Sequence, residues 1–417
     1  MLRKILCAVL CAALCFSLMS GCGSKRPKIE PVDGWYATWA AAPLSAEFEQ
    51  TPWKPTLEDN TCRQQLRVSI GGEKIRLTFS NEYGTEDLVI ESAHIAHLLN
   101  AGSPAIDVST DTPITFNGSE QIRIAAGETA VSDEIAFSFE ALDLLAVTAK
   151  FGSAPSFPTC HREADCATWV VEGDHVSDEN FSRVELMSSW YYLSRIDVWA
   201  QAGTEVVVCF GDSITDGANS TYNGFNGWVD NLSTILQSDP ATSNLSVVNT
   251  AIAGNAVFGG WGDPAKDRFE RDVLDIPGVH KVIILIGIND IPGAQNDTSE
   301  TLIAEYKTMI EKCHEKGVSI YAGTITPFGG NTVYYSELHE KIRLALNEFI
   351  TSPDSGFDGF IDFSNVLCYA ETPSKMQSVY DSGDGLHPNA EGHSVMGKAA
   401  AEALKEAVRK EAEERKK

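Results

Sequence analysis

Residues 206–217 have the sequence VVVCFGDSITDG, in which an apolar run from Val206 to Phe210 gives way at once to small and polar residues. A short apolar run rich in β-branched residues predicts a strand that is buried on both faces, as in a parallel sheet. Similar runs follow at 246–252, 281–286, 319–325 and 359–363, with helical patterns such as 301–316 and 337–350 between them. This alternation predicts an α/β, doubly wound parallel sheet over residues 202–417.

Upstream of this region the hydrophobic pattern has period two. Residues 66–70 and 74–79 alternate apolar and polar side chains on either side of Gly71 and Gly72, which predicts a β-hairpin. Similar short runs at 88–95, 121–124 and 144–151 are separated by Gly, Pro, Asn and Asp. The sequence therefore predicts an antiparallel β-sandwich domain over residues 32–201.

Composition and charge exclude several classes of protein. A chain of 417 residues suits two folded units, because single hydrophobic cores rarely grow beyond about 250 to 300 residues. A hydrophobic content of 43% excludes an intrinsically disordered chain. The formal net charge of −26 would repel the phosphates of a nucleic acid, so no nucleic-acid partner is predicted.

The first thirty residues predict export from the cytosol. Two basic residues precede an apolar stretch from Ile5 to Met19, which is too short to span a bilayer and is followed by small residues. We predict a lipoprotein-type signal peptide over 1–21, lipidation of Cys22 and a polar tether over 22–31. The segment MSGC resembles a bacterial lipobox, although such boxes usually carry Leu in place of Met19. An ordinary cleaved signal is the alternative, which would give a secreted rather than a membrane-anchored protein.

Cysteine and histidine spacing gives no metal site. Cys160 and Cys166 bracket a polar loop, and either a disulfide or two free thiols is compatible with an exported protein. No Cys-x-x-Cys pair is present, and His94 and His97 would lie on opposite faces of a strand. Other histidines, such as His161, lack a partner at ligand spacing and are expected at the surface. Neither a metal nor a cofactor is predicted.

Polar segments follow the predicted strands of the α/β region. GDSITDG at 211–217 follows the first strand, AGN at 253–255 the second and GIND at 287–290 the third, while DGLHP at 384–388 lies late in the chain. Ligands bind at the carboxyl ends of strands in an open parallel sheet. We therefore expect these segments to meet at one edge of the sheet.

The residue types in these segments suit nucleophilic catalysis. A serine hydroxyl such as that of Ser213 is a weak nucleophile until a base, here His387, takes its proton and a third group, here Asp384, orients the base. Candidate donors to an oxyanion are the Ser213 amide, the Gly254 amide and the Asn289 side chain. Each segment alone is an ordinary turn or helix cap, but together they predict acyl transfer.

These four segments resemble the SGNH, or GDSL, hydrolase superfamily. Ser213 matches its Ser, Gly254 its Gly, Asn289 its Asn and His387 its His, in the same order and at similar separations. The resemblance implies a flavodoxin-like sheet, the SGNH hydrolase fold, and a serine carboxylic-ester hydrolase that needs no cofactor.

The likeness is greatest to a bacterial extracellular subfamily that carries an N-terminal β domain and includes xylan-type carbohydrate esterases. It rests on GDSITDG, AGN, GIND and YDSGDGLHPN, and upstream on WYATW at 35–39, SNEYG at 80–84 and SWYYL at 189–193. One departure is His393, where a Tyr is expected after the glycine of the C-terminal helix.

The chemistry selects ester hydrolysis but not the ester. Trp228, Phe258 and Trp261 follow the catalytic segments closely enough to line a cleft and bind substrate, although core packing would also explain them. The sequence favours a carbohydrate acetylesterase acting on acetylated polysaccharide or oligosaccharide. The alternatives are a lysophospholipase or short-chain lipid esterase, and a non-catalytic surface glycan-binding protein. The N-terminal domain would either bind glycan or form one wall of the substrate cleft.

Overall fold

The computed structural model describes residues 26–414. The predicted signal peptide and the predicted lipidation of Cys22 lie outside the described residues, as do residues 22–25 of the predicted tether. Within residues 26–414, no helix has both the length and the apolar character that a membrane span requires.

Antiparallel strands make up the N-terminal region, residues 32–201. In chain order they are β1 Gly34–Ala40, β2 Leu44–Ser45, β3 Asn60–Arg67, β4 Gly72–Ser80, β5 Leu88–His97, β6 Thr112–Ile114, β7 Ile122–Ile124, β8 Thr129–Val131, β9 Ile135–Phe139, β10 Leu144–Ser153, β11 Thr159–His161, β12 Thr168–Glu172, β13 Glu185–Met187, β14 Trp190–Tyr191 and β15 Leu193–Ala200. One sheet has the order β1-β15-β4-β8, with β9 also paired to β4. Another has the order β13-β12-β3-β10-β5-β6, with β7 also paired to β5. The short strands β14, β11 and β2 form a third.

The predicted hairpin about Gly71 and Gly72 is wrong. Strand β3 pairs with β10 and β12, whereas β4 pairs with β15, β8 and β9, so the two strands belong to different sheets. Between them, residues 68–71 cross from one sheet to the other. The alternation of apolar residues is real, because Leu66 and Leu77 enter one common core with side chains from both sheets.

A five-stranded parallel sheet forms the centre of the C-terminal region, residues 202–417, of which the structure describes 202–414. Its strands are β16 Glu205–Gly211, β17 Leu245–Asn249, β18 Val279–Leu285, β19 Ser319–Gly323 and β20 Gly359–Ile361. Their order, β17-β16-β18-β19-β20, is the flavodoxin-like doubly wound order. The predicted parallel α/β sheet is therefore confirmed.

Helices and a small hairpin complete the C-terminal region. They are α1 Ser213–Asp216, α2 Trp228–Gln237, α3 Ala265–Phe269, α4 Ser299–Glu315, α5 Glu337–Thr351, α6 Phe363–Leu367 and α7 Ala390–Glu414, with the hairpin strands β21 Cys368–Tyr369 and β22 Thr372–Met376. The three central strands of the parallel sheet, β16, β18 and β19, are almost entirely buried, as expected for a sheet covered on both faces.

Strand β1 joins the two regions. Tyr36 and Ala37 on this strand pack into the hydrophobic core of the C-terminal region, whereas Trp39 packs into the core of the N-terminal region. The Ala37 carbonyl accepts a hydrogen bond from the Ser246 hydroxyl at 2.6 Å, and the Ala37 amide donates to the Pro277 carbonyl at 3.0 Å. The two regions therefore share an interface that combines buried apolar side chains with hydrogen bonds.

The buried guanidinium of Arg268 on α3 closes the carboxyl ends of β16 and β17. It donates to the Gly211 carbonyl at 3.0 Å, to the Thr250 carbonyl at 2.7 Å and to Oδ1 of Asn255 at 3.0 Å, and it pairs with Asp272 at 3.0 Å. Since it is almost completely buried, its loss would leave several acceptors without a donor.

Replacing this residue tests how much the network contributes. Arg268→Met is expected to lower the free energy of unfolding by about 3 kcal/mol, because a buried charge partner and buried carbonyls lose their donor. Urea unfolding followed by fluorescence measures the change. Lys266→Met on the same helix is the control, and the loss of its solvent-exposed pair with Asp267 should change the free energy of unfolding far less than Arg268→Met does. Similar small changes in both variants would contradict this account.

Candidate active site

The turn between β16 and α1 presents Ser213. Asp212 caps the helix by accepting a hydrogen bond from the Ile214 amide at 3.1 Å. Gly211 is required before it, because a Cβ there would lie 2.5 Å from the Leu285 carbonyl oxygen. Ser213 is the first residue of α1, so its amide has no intrahelical acceptor and can donate to a ligand.

Ser213, His387 and Asp384 form one chain of hydrogen bonds. The Ser213 hydroxyl lies 2.8 Å from Nε2 of His387, and Nδ1 of His387 lies 2.6 Å from Oδ2 of Asp384. The other carboxylate oxygen of Asp384 accepts from the backbone amides of His387 at 2.8 Å and Leu386 at 2.9 Å. This geometry lets the imidazole take the serine proton while the carboxylate holds the ring.

Asp384 is held in its ionised form. Desolvation raises the pKa of Asp384, but the hydrogen bonds from the His387 ring and from two backbone amides outweigh it, so the pKa falls below the ordinary value. An ionised carboxylate fixes the tautomer of His387 with its proton on Nδ1, which leaves Nε2 free to accept from serine.

Gly254 and Asn289 follow β17 and β18, the two strands that flank β16 in the parallel sheet. The residue at 254 has φ +72°, and a Cβ there would lie 3.0 Å from the ring of Trp261, so only glycine fits comfortably. Nδ2 of Asn289 donates to the Asn255 carbonyl at 2.8 Å, and its Oδ1 accepts from the Tyr334 hydroxyl at 2.6 Å. These two bonds orient the amide and leave one Nδ2 hydrogen for a substrate oxygen.

The loop that carries Gly254 is held by its own motif residues. Buried Asn255 donates to the carbonyls of Trp261 at 2.7 Å and Asp263 at 2.8 Å. Asp290 accepts from the backbone amides of Val257 at 2.8 Å and Phe258 at 3.1 Å. Donors aimed at a developing oxyanion must be in place before the reaction, and these bonds provide that rigidity.

The three aromatic residues predicted to bind substrate differ in their placement. Phe258 and Trp261 are each 42% exposed on the loop that follows Gly254. The prediction for Trp228 is wrong, because its side chain is 0% exposed and packs against the Phe363 ring at 5.3 Å. Trp228 begins α2 on the face turned towards the core, so closeness in sequence to the serine motif does not bring it to the cleft.

Two histidines have roles that the sequence did not indicate. His393 is buried, accepts from the Trp228 amide at 3.2 Å and contacts the Ala218 carbonyl at 3.0 Å, and burial lowers its pKa to about 4. It is a neutral packing residue. His161 is also buried rather than at the surface, and it contacts Asp216 on α1. Its partner is distant in sequence, which is why spacing alone did not reveal it.

Tyr334 was not predicted either. It lies in the segment TVYYSE, which carries no catalytic pattern, and only the fold brings its hydroxyl to Asn289. The six cysteines among the described residues are free and buried, so the loop between Cys160 and Cys166 has no disulfide. No group of three or more potential metal ligands occurs in residues 26–414.

The model of the GDSL-like lipase/acylhydrolase family matches residues 209–395. This segment is a GDSL-family hydrolase domain. It contains all four motif segments and every hydrogen bond of the serine, histidine and aspartate chain. The family match ends within α7 and begins within β16, so the N-terminal region lies outside it.

Several solved structures are similar to this chain over about half of its length. A GDSL-like lipase from Bacteroides thetaiotaomicron is 21% identical, with 50% of this chain and 89% of that chain covered and a TM-score of 0.37. The lipase/acylhydrolase from Enterococcus faecalis is 21% identical, with 48% and 94% covered and a TM-score of 0.38. A catalytic mutant of an acetylxylan esterase from Geobacillus stearothermophilus is 21% identical, with 47% and 92% covered and a TM-score of 0.38. No curated protein matches the chain.

The bond from Tyr334 to Asn289 can be tested in the GDSL domain. Tyr334→Phe is expected to lower kcat on p-nitrophenyl acetate about 10-fold with little change in KM, because the Asn289 amide loses the partner that orients it. Asn289→Ala, which removes the donor itself, should cost about 10²- to 10³-fold. The control is Tyr335→Phe at the adjacent exposed tyrosine. Equal rates for the two tyrosine variants would refute a role for the Tyr334 hydroxyl.

Proposed function

We propose that the chain is a secreted or surface-anchored serine esterase that hydrolyses O-acetyl esters, with a polysaccharide or oligosaccharide as the carrier of the acetyl group. The observation that carries the proposal is the chain of hydrogen bonds from Ser213 through His387 to Asp384, with Gly254 and Asn289 after the two flanking strands. A nucleophile, a base, an orienting carboxylate and oxyanion donors thus stand at one edge of the sheet.

The reaction follows from this arrangement. Oγ of Ser213 attacks the ester carbonyl carbon while its proton passes to Nε2 of His387, and the carbonyl oxygen becomes an oxyanion held by the amides of Ser213 and Gly254 and by Asn289. The oxyanion collapses, the bond to the alcohol oxygen breaks, and His387 gives its proton to that oxygen. A water molecule, deprotonated by His387, then attacks the acetyl-serine. Acetate leaves and Ser213 regains its proton.

The surroundings of the oxyanion donors favour a short acyl group. The Trp261 ring lies against Gly254, and its amide donates to the Gly254 carbonyl at 3.1 Å. A rigid aromatic wall beside the reacting carbonyl suits an acetyl group better than a long chain. Arg162 covers the ring, with its guanidinium carbon 3.8 Å from the ring centroid, which holds that wall in position.

The carrier is proposed from exposed aromatic surface and charge. Phe258 and Trp261 are each 42% exposed on the loop that follows Gly254, and exposed aromatic side chains can contact sugar rings. The net charge of −26 opposes anionic carriers, such as an anionic lipid surface, within the screening length of about 8 Å. A neutral acetylated glycan fits both observations.

The proposal also includes export and domain division. It retains the signal peptide over 1–21, lipidation of Cys22 and the tether over 22–31, all supported by the sequence pattern. Residues 32–201 form a β-sandwich domain in this scheme, supported by two antiparallel sheets whose buried side chains share one core. Residues 202–417 then form the catalytic domain.

Acetate release from a substrate panel tests the function. The mature protein should release acetate from at least one of acetylated xylan and acetylated mannan, with lower rates on acetylated pectin and on lysophospholipid. Ser213→Ala is expected to lower this rate at least about 10⁴-fold, because the nucleophile is lost. The control Ser238→Ala, at the exposed end of α2, should retain the full rate.

Chain length separates this proposal from a lipid esterase. On p-nitrophenyl esters, kcat/KM should fall from acetyl to octanoyl. A rise along the series, together with fatty-acid release from lysophospholipid and no reaction with any glycan, would replace the carbohydrate esterase by a lipid esterase. Acetate release that persists in Ser213→Ala would refute the serine mechanism.

A further inference from the structure

A segment of the N-terminal region reaches the helix that carries Ser213. His161, the last residue of β11, places Nε2 2.9 Å from Oδ1 of Asp216, and Asp216 is the last residue of α1. The two side chains are 4% and 6% exposed, so the contact is buried. The other ring nitrogen, Nδ1, lies 3.1 Å from the Ala42 carbonyl.

The hydrogen-bond partners of His161 define its charge. A backbone carbonyl and a carboxylate both accept hydrogen bonds and neither donates, so both ring nitrogens must carry a hydrogen. Burial lowers the pKa of His161, but the charge and hydrogen bond of Asp216, together with the Ala42 carbonyl and the charge of Glu163, outweigh burial, and the net shift is upward. His161 and Asp216 therefore form a buried ion pair that spans the two regions.

Asp216 also connects the two halves of the catalytic geometry. Its Oδ2 accepts a hydrogen bond from the Ala253 amide at 2.8 Å, and Ala253 immediately precedes Gly254. One carboxylate thus links the helix that begins with Ser213 to the loop that carries an oxyanion donor. The carboxylate is thus bonded one residue away from the proposed oxyanion donor Gly254.

Buried Arg268 is a second cation that interacts electrostatically with Asp216, but its guanidinium pairs with Asp272 and donates to backbone carbonyls rather than to Asp216. Glu163 and Asp165, on the same segment as His161, are themselves acidic, and both pKa values are raised by burial and by the charge of Asp216, that of Asp165 to about 7. His161 is the cation that contacts Asp216 directly, within the part of the chain that the structure describes.

We propose that His161 is a positioning residue that the N-terminal region supplies to the GDSL domain. The imidazolium of His161 neutralises Asp216 and fixes the position of that carboxylate. The carboxylate in turn keeps the helix of Ser213 and the loop of Gly254 in their relative positions. The inference rests on the proposed function, since it takes Ser213 as the nucleophile. It makes the N-terminal region part of the active site rather than a detachable glycan-binding module.

Charge-matched variants test the proposal in the full mature chain. His161→Gln leaves Asp216 buried without its cation. Asp216→Asn removes the charge but keeps the bonds, because its oxygen still accepts from Ala253 and its amide donates to a neutral His161. The double variant His161→Gln/Asp216→Asn has neither charge. Two readouts are used. The first is kcat and KM for p-nitrophenyl acetate, with kcat expressed per titrated active site, and the second is the rate at which a fluorophosphonate labels Ser213.

The proposal predicts an asymmetric result. His161→Gln should lower both kcat and the labelling rate about 30- to 100-fold with KM within about 2-fold, because the buried charge of Asp216, bonded one residue away from Gly254, is left uncompensated. Asp216→Asn should lose less than about 5-fold. The double variant should regain the rate of Asp216→Asn, which a purely structural role would not produce.

The control is Ser246→Ala, which removes a buried bond between the two regions at the amino end of β17, away from the site. It should lower the melting temperature and leave kcat per titrated site unchanged. The proposal would be overturned if His161→Gln also lowered the melting temperature and left kcat unchanged. It would equally be overturned if the double variant were as slow as His161→Gln. If His161→Gln does not fold, Asp216→Ala should be about 30-fold slower than Asp216→Asn, and equal rates would be the contrary result.

The labelling rate also separates this inference from the proposed function. A fluorophosphonate reacts with an activated serine whatever acyl group or carrier the enzyme uses. If no glycan releases acetate, the substrate proposal fails while the comparison of labelling rates still decides the role of His161. If wild-type Ser213 is not labelled, both proposals fail.

Discussion

The hydrogen bond between Oγ of Ser213 and Nε2 of His387 is the constraint on which the rest of the structure depends. It joins residues 174 positions apart, and it forms only if the turn after β16 and the turn before α7 reach the same edge of the sheet. Parallel order brings the ends of β17, β16 and β18 side by side, so the glycine and asparagine segments arrive at that edge as well. Buried Arg268 and Asn255 then hold those ends together.

The sequence predicts this edge because the serine, glycine and asparagine segments each closely follow a buried strand, and local patterns encode such adjacency. It does not predict partners chosen by the fold. Period-two alternation identifies strands β3 and β4 without saying that they lie in different sheets. Closeness to the serine motif does not say which face of α2 holds Trp228. His161 and Tyr334 carry no local signal, because their partners come from other elements.

Two buried arginines of this acidic protein donate hydrogen bonds to several backbone carbonyls each. Arg268 gathers carbonyls at the strand ends below the serine, and Arg63 in the N-terminal region donates to the Pro104 carbonyl at 2.6 Å and the Asp178 carbonyl at 2.7 Å. A guanidinium offers five donors in a fixed plane, so one side chain can satisfy several loop carbonyls that no regular ladder reaches. His161 differs in that its positive charge compensates a single carboxylate, that of Asp216.

Strand β1 has a consequence for how the chain is made. Synthesis proceeds from the N-terminus, so Tyr36 and Ala37 emerge long before the parallel strands whose core they complete. Until those strands are made, this part of β1 is an apolar segment without its final neighbours. Aggregation with other chains then competes with folding. The catalytic half in turn acquires its full core only if the earlier half is attached. The core of the C-terminal region is thus complete only when a strand made at the start of translation packs against strands made later.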